Sequence, residues 1–376
     1  MKLESLLNIK ELEQLVQDRF VGIQRHPSLP LRIFNYTPHA QFENKWGGTI
    51  DFCRGLIVDD NDNIVARPFK KFHNLQTTNI PETREENLPS VPPEITKKYD
   101  GSLGVYWKYD EQFGVATRGS FTSPQAQWAT KWIQEKCPRG FVDDLSGSAT
   151  PLFEIIYPEN RIVVKYDWEG LVLIGLVSIH SGYEYNWITL LKHAQYNGIR
   201  LTECIKENLE ILKKKNIENE EGYVLTYRRG PASPPLKVKV KMADYLRLHK
   251  IVTGMNARSV WELLSSGTGT AGFEHTPEHF QKWLASWSEK LNREFNEIFV
   301  ESRQIFANRP PPCGWTESIV NDRAYRAVFA EYLRQNVAPA FHGVLFAMLD
   351  GKDPAPIIWK QIKPRGDDAT FRTEGE

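Results

Sequence analysis

The stretch TKKYDGSLGVYWKY, residues 96–109, places two lysines before an Asp-Gly pair and a run of alternating large residues after it. Alternation with period two is the mark of a strand. Asp100-Gly101 between apolar runs predicts a hairpin corner, because glycine tolerates the positive φ of primed turns. On that reading Lys98 flanks an ordinary turn. The other reading makes Lys98 a nucleophile held beside the turn. Lys-x-Asp-Gly alone is too short to choose between them.

The surrounding chain extends the strand pattern. Gly55–Asp59 and Ile64–Arg67 flank the turn-like Asp60-Asn61-Asp62-Asn63. Leu103–Tyr109 and Phe113–Thr117 flank another turn. Leu152–Tyr157, Arg161–Tyr166, Leu171–Ile179 and Tyr183–Trp187 are separated by PEN, DWEG and HSG. Gly222–Tyr227 and Leu236–Val240 close the series. Short strands with turn chemistry at this spacing predict antiparallel sheet. Helices are expected over 1–20 and near 124–136, 188–197 and 203–215.

After about residue 250 the period becomes helical. In TPEHFQKWLASWSEKLNREFNEIFVESRQIF (276–306), Phe280, Trp283, Leu284, Trp287, Leu291, Phe295 and Ile298 mark one buried face. Thr276 reads as the N-cap and Pro277 as the first helical residue. A proline-rich break at 308–314 precedes one or two helices divided near Pro339. The expected fold is α+β: an antiparallel-sheet domain over 1–250, then an all-helical domain over 251–376.

The chain has 376 residues, ample for two cores. Lys+Arg and Asp+Glu are equal at 47 each, so any nucleic-acid surface must be a local patch. The four cysteines (Cys53, Cys137, Cys204, Cys313) are scattered and form no CxxC pair, which argues against a zinc knuckle or disulfide framework. The first twenty residues are charged throughout, unlike a signal peptide, and no apolar run approaches membrane-spanning length. A reducing, cytoplasm-like compartment and no membrane partner are expected.

Chemistry-bearing residues recur in order: Arg54 in CRGLIVDD, Lys71 in RPFKKFHNL, Lys98 in KYDGS, Arg118 in ATRGSF, Glu154 in LFEIIYPENRIVV, Glu221 in NEEGYVLTY, and Lys237, Lys239 and Lys241 in LKVKVKMADY. The last three share one strand face, opposite Val238 and Val240. Taken singly, that face reads as a lysine-protected edge strand and Glu154 as a structural acid. Their joint order is harder to reconcile with chance.

The ordered set resembles the covalent nucleotidyltransferases: DNA ligases, RNA ligases and mRNA capping enzymes. The shared places are Lys98/Asp100/Gly101, Phe153-Glu154, Glu221-Gly222 and Lys239-x-Lys241. NYTPHAQFENKW, with CRGLIV and ARPFKKFHN, is similar to the bacteriophage RNA ligase 1 family, and Tyr36, Arg54, Lys71, Phe72 and Asn74 fill its places. His73 departs from a usual phenylalanine and Arg118 from a common lysine; neither removes a charge.

The resemblance implies ATP and Mg2+ (or Mn2+), with Lys98 as the site of a lysyl-AMP. It implies Tyr36, Arg54 and Lys71 at the leaving phosphates, Lys239 and Lys241 at the α-phosphate, and Arg118 near the nucleotide. Asp100 and Glu154 fall on the ribose or metal-water side, Gly101 among the ATP-binding residues, and Glu221 and Glu154 toward the metal through water. The substrates it implies are RNA 5′-phosphate and 3′-hydroxyl ends, including those of broken tRNA. A lysine must lose its proton to attack, and the expectation is that neighbouring cations lower the Lys98 pKa. DNA ligases and capping enzymes normally continue into an OB-fold, whereas helices follow here. Another polynucleotide ligase, a capping-type enzyme, and a catalytically silent RNA-end-binding protein are the alternatives. The helical part, with no ordered charge constellation, is expected to act on RNA choice or stability.

Overall fold

The computed structural model describes residues 1–365 except 142–147, 229, 231–233, 272, 274–275 and 311–322. Cys313 and most of the 308–314 break therefore lie outside the described residues. The chain divides into two compact units, one over Met1–Lys250 and a second that starts at Ile251.

In the first unit Asn8 accepts the Glu11 N–H and opens α1 (Ile9–Gln17), which buries Leu12 and Leu15. An antiparallel sheet follows: β1 (Val21–Arg25), β2 (Leu31–Tyr36), β3 (Arg54–Asp59) and β4 (Ile64–Ala66), in that order. The short α2 (Pro38–Phe42) sits between β2 and β3. The remaining strands are β5 (His73–Asn74), β6 (Glu94–Lys98), β7 (Ser102–Tyr109), β8 (Gln112–Ala116), β9 (Ala149–Ile156), β10 (Gly170–Ser178), β11 (Arg200–Leu201), β12 (Cys204–Ile205), β13 (Gly222–Tyr227) and β14 (Leu236–Lys241). They build two five-stranded sheets, ordered β11-β10-β9-β7-β8 and β12-β6-β13-β14-β5. Pairing is antiparallel except at the edges, where β10–β11 and β14–β5 run parallel. Helices α3 (Pro124–Lys136) and α4 (Trp187–Asn197) place Ile133, Ala129, Leu190 and Ala194 against Phe153, Leu171 and Leu173.

The hairpin expected at Asp100-Gly101 does not form. β6 pairs with β13, and β7 pairs with β8 and β9, so the chain crosses from one sheet to another at this point. Gly101 is not among the glycines at positive φ. A Cβ there would clash with the Ile155 carbonyl oxygen, so the close passage of two backbones requires glycine.

Other expectations also give way to tertiary pairing. Arg161–Tyr166 is not a strand; the Val163 and Val164 N–H groups bond the Asp100 carboxylate instead of a ladder. Tyr183–Trp187 contributes only the bridge Val177↔Glu184. The helix near 203–215 shrinks to α5 (Leu209–Lys214), preceded by β12.

α6 (Ala243–Gly254) leads out of the first unit. The second unit is helical: α7 (Ala257–Ser265), α8 (Glu278–Ala307), α9 (Arg323–Asn336), α10 (Pro339–Leu349) and α11 (Ala355–Gln361). Asn256 and Ser259 form a capping box on α7. α8 starts at Glu278 with Pro277 in the cap position, and Thr276 bonds Phe273 rather than capping. Phe280, Leu284 and Leu291 of α8 are buried with Val260, and Phe329, Leu333 and Leu345 join α9 to α10. Among the described residues no helix is long and apolar enough to cross a membrane.

Candidate active site

The centre of the site is set by strand register. Gly222 of β13 stands opposite Lys98 of β6 on one side and Lys241 of β14 on the other. Glu221, one residue earlier, therefore lies between both lysines. Its Oε2 is 2.7 Å from the Lys98 Nζ and its Oε1 is 2.9 Å from the Lys241 Nζ. The glutamate is 3% exposed, so solvent screens this bridge little. Gly222 has φ 144°, and a Cβ there would clash with the Val240 carbonyl oxygen.

These contacts reverse one expectation about the nucleophile. Burial pushes the Lys98 pKa down, but the Glu221 and Glu154 carboxylates outweigh it, and the net shift is upward. The same bridge holds Glu221 below the usual carboxylate range despite its burial. The lysine that is strongly depressed is Lys239: burial lowers its pKa, and the cations of Lys98, Arg54, Lys71 and Lys241 lower it further.

The residues after Lys98 are held by a separate network. The Asp100 N–H donates to the Tyr166 hydroxyl at 2.8 Å. One Asp100 carboxylate oxygen accepts the Val163 and Val164 N–H groups, each at 2.8 Å; the other accepts the Tyr245 hydroxyl at 2.8 Å. Burial and then the Glu221 charge raise Asp100 to about 6. The Gly101 N–H donates to Glu154 Oε1 at 3.1 Å. Glu154 is raised to about 7: burial and the Glu221 and Asp100 charges outweigh Lys98.

A third group converges on one phenol oxygen. The Tyr36 hydroxyl accepts from Lys71 Nζ at 3.2 Å and from Arg118 Nη1 at 3.0 Å. Burial raises this phenol, but Arg54, Arg118 and Lys71 outweigh it and bring it to about 8. Lys71 also lies 4.3 Å over the Trp46 ring. Arg54 and Lys239 approach Phe72, at 5.6 and 4.8 Å from its centroid.

A cavity between the sheets brings Arg54, Lys98, Glu154 and Lys239 together with Phe72, Leu103, Ile174 and Val224. Apolar walls with a few convergent charges suit a small-molecule site. Asp100 and Gly101 do not line it; they secure the crossing beside it. Tyr166 and Tyr245 carry no local sequence signal for this site: Tyr166 falls in a strand-like pattern, and nothing in MADY indicates that Tyr245 reaches Asp100.

The donor set suits a nucleotide triphosphate and a hard divalent ion. Arg54 Nη1 is buried without a hydrogen-bond partner, a costly state that a phosphate oxygen relieves. Among the described residues no three His, Cys, Asp or Glu side chains converge as a ready ligand set. Mg2+ or Mn2+ held by Glu221 or Glu154 would complete its shell with water and phosphate oxygens, as Mg2+ commonly does.

A family model described as RNA ligase matches residues 52–245, just over half of the chain. A putative RNA ligase of Thermovibrio ammonificans is 28% identical over 253 residues, covering 65% of this chain and 64% of that protein. The chain thus spans slightly less than two thirds of that relative's length. An RNA ligase of Rhodothermus phage RM378 is 23% identical over 332 residues, covering 69% of this chain and 75% of its own. Among solved structures, an archaeal ATP-dependent RNA ligase aligns at 14% identity with a TM-score of 0.45, covering 78% of this chain and 80% of that one.

Proposed function

The chain belongs to the RNA ligase family of the bacteriophage RNA ligase 1 type, and from that membership we propose that it is an ATP-dependent RNA ligase joining 5′-phosphate and 3′-hydroxyl ends. The observation that carries this reading is the single buried Glu221 carboxylate bridging Lys98 and Lys241, beside a cavity lined by Arg54, whose Nη1 is buried without a hydrogen-bond partner.

The neutral Lys98 amine attacks the α-phosphorus of ATP. A P–N bond forms, the P–O bond to pyrophosphate breaks, and the attacking nitrogen gives one of its two protons to solvent. The RNA 5′-phosphate then takes the AMP, and Lys98 leaves as the amine. Finally a 3′-hydroxyl attacks the activated phosphate, loses its proton, and AMP departs. Tyr36, Arg54, Lys71 and Arg118 bind the leaving phosphates, and Lys239 and Lys241 bind the α-phosphate. Lys239 is disfavoured as a cation when no phosphate is near, and an anion beside it restores its charge. Glu154 faces the nucleotide, while Asp100 and Gly101 position the turn. A divalent ion at Glu221 would neutralise phosphate charge.

We assign the adenylation chemistry to residues 1–250 and RNA choice or stability to 251–376, with broken tRNA as a physiological substrate. The test is incubation with α-labelled ATP or GTP and Mg2+, peptide mapping, and sealing of a 5′-phosphorylated RNA. Labelled AMP on Lys98 and a sealed product are expected. A GMP adduct would make it a capping-type enzyme, and no adduct a silent end-binding protein.

A further inference from the structure

A second cavity, of about 430 Å³, lies in the first unit apart from the nucleotide cavity. α3 brings Trp132 and Lys136 to it, one helical turn apart. The segment before β10 brings Trp168 and the start of β10 brings Gly170, while the turn after α4 brings Gly198 and the start of β11 brings Arg200. Two glycines at positive φ line it. A Cβ at Gly170, where φ is 151°, would meet the Trp132 ring at 3.4 Å; one at Gly198 would meet Lys136 Cε at 3.5 Å.

Its two indoles are half-buried against neighbouring core residues, but its cations reach solvent. Lys136 and Arg200 are exposed, and among the described residues neither is paired with a carboxylate. The Arg200 guanidinium lies 4.1 Å over the Trp168 ring. Glu169 is the one acidic residue in the lining, leaving a net positive groove on a chain whose formal charge is zero. Cations that can meet phosphates, interleaved with indoles that can meet bases, are the elements of single-strand binding.

The groove is also connected to the candidate active site through ring contacts. The Trp168 ring is 5.2 Å from Tyr166 and 6.1 Å from Tyr99. Tyr99 follows Lys98, and the Tyr166 hydroxyl holds the Asp100 N–H. One layer of aromatic rings thus separates the groove from the Lys-x-Asp-Gly turn.

We propose that this groove docks a single-stranded stretch of RNA next to the end being joined, with bases on the Trp132 and Trp168 indoles and phosphates at Lys136 and Arg200. The inference rests on the ligase reading for the identity of the strand, but its test does not require ligation. Fluorescence anisotropy of a 5′-phosphorylated oligouridylate of about 12 nucleotides, without ATP, measures the affinity of the full chain. Lys136→Ala and Arg200→Ala are each expected to weaken binding about 3- to 10-fold and to lower the salt slope by about 0.7. Trp132→Leu is expected to weaken it by about 5-fold or more with less change in slope. Lys131→Ala, an exposed cation on the same helix, is the control and should bind as the parent does. Circular dichroism verifies that each variant is folded.

Unchanged affinity in folded Lys136→Ala and Arg200→Ala overturns the proposal, as does a parent protein that forms the lysyl-adenylate yet fails to bind the oligonucleotide. Binding that depends on Lys136 and Arg200, without any adenylate on Lys98, would instead keep the groove and remove the ligase reading.

Discussion

Lys98 and Glu221 meet at 2.7 Å across the β6–β13 pair, and the bridge keeps the amine of the proposed nucleophile in its protonated form. The pKa of Lys98 lies above its ordinary value because nearby carboxylates outweigh burial. Lysyl-adenylate formation should therefore rise with pH in the neutral to alkaline range. Glu221→Gln removes a counter-charge, so the ammonium is less favoured and the profile should move to lower pH. Its maximum should also fall, because Lys241 and the phosphates lose an organising carboxylate. Single-turnover adenylation measured against pH checks both effects; an unmoved profile would show that the bridge does not set the protonation of Lys98.

Lys239 and Lys237 share one strand face but have different surroundings. Lys239→Ala should slow adenylation by orders of magnitude, since losing one contact to developing phosphate charge commonly costs ~3–4 kcal/mol. Lys237 instead pairs with Glu184 at 2.6 Å, with both side chains about nine-tenths buried, and lies 3.6 Å from the Phe69 centroid. Lys237→Ala leaves that carboxylate alone and should cost about 3–5 kcal/mol of stability. Pairing Lys237→Met with Glu184→Leu should recover most of it. Urea unfolding separates this loss from the chemical defect, and equal adenylation rates in all three folded variants would count against a chemical role for Lys239.

Gly222→Ala should abolish adenylation. The substitution places a Cβ against the Val240 carbonyl oxygen and strains a positive φ, so β13 and β14 must separate where Glu221 spans the two lysines. A folded Gly222→Ala protein with parental adenylation would show that the shared register is dispensable.

Glu154 predicts a pH dependence of stability. Its pKa rises from 4.5 toward about 7 on folding, so its protonated form favours the folded state. That contribution is full below the unfolded pKa and is lost as pH rises through about 7. Without nucleotide, the parent should lose stability relative to Glu154→Gln between about pH 4.5 and 7. Denaturant unfolding at the two ends of that window gives the difference; parallel changes in both proteins would exclude Glu154 as its source.

The sequence by itself determined the residue types and their order: Arg54, Lys71, Lys98, Glu154, Glu221, Lys239 and Lys241 are all visible along the chain. It also determined most strands and the long helix of the second unit, because side-chain periodicity and turn chemistry are local properties. Only the tertiary structure decided what Lys98 adjoins. Asp100-Gly101 carries a hairpin signal, yet β6 finds β13 and β7 finds β9, so the pair becomes a crossing between sheets. Tyr245 lies 145 residues from Asp100 and bonds its carboxylate, which no spacing rule anticipates. The protonation of Lys98 was decided in the same way. Its cationic neighbours are legible in the sequence, but burial and the 2.7 Å approach of Glu221 set the sign of the shift. Charge interactions depend on distance and desolvation, and both are fixed only when remote strands come into register.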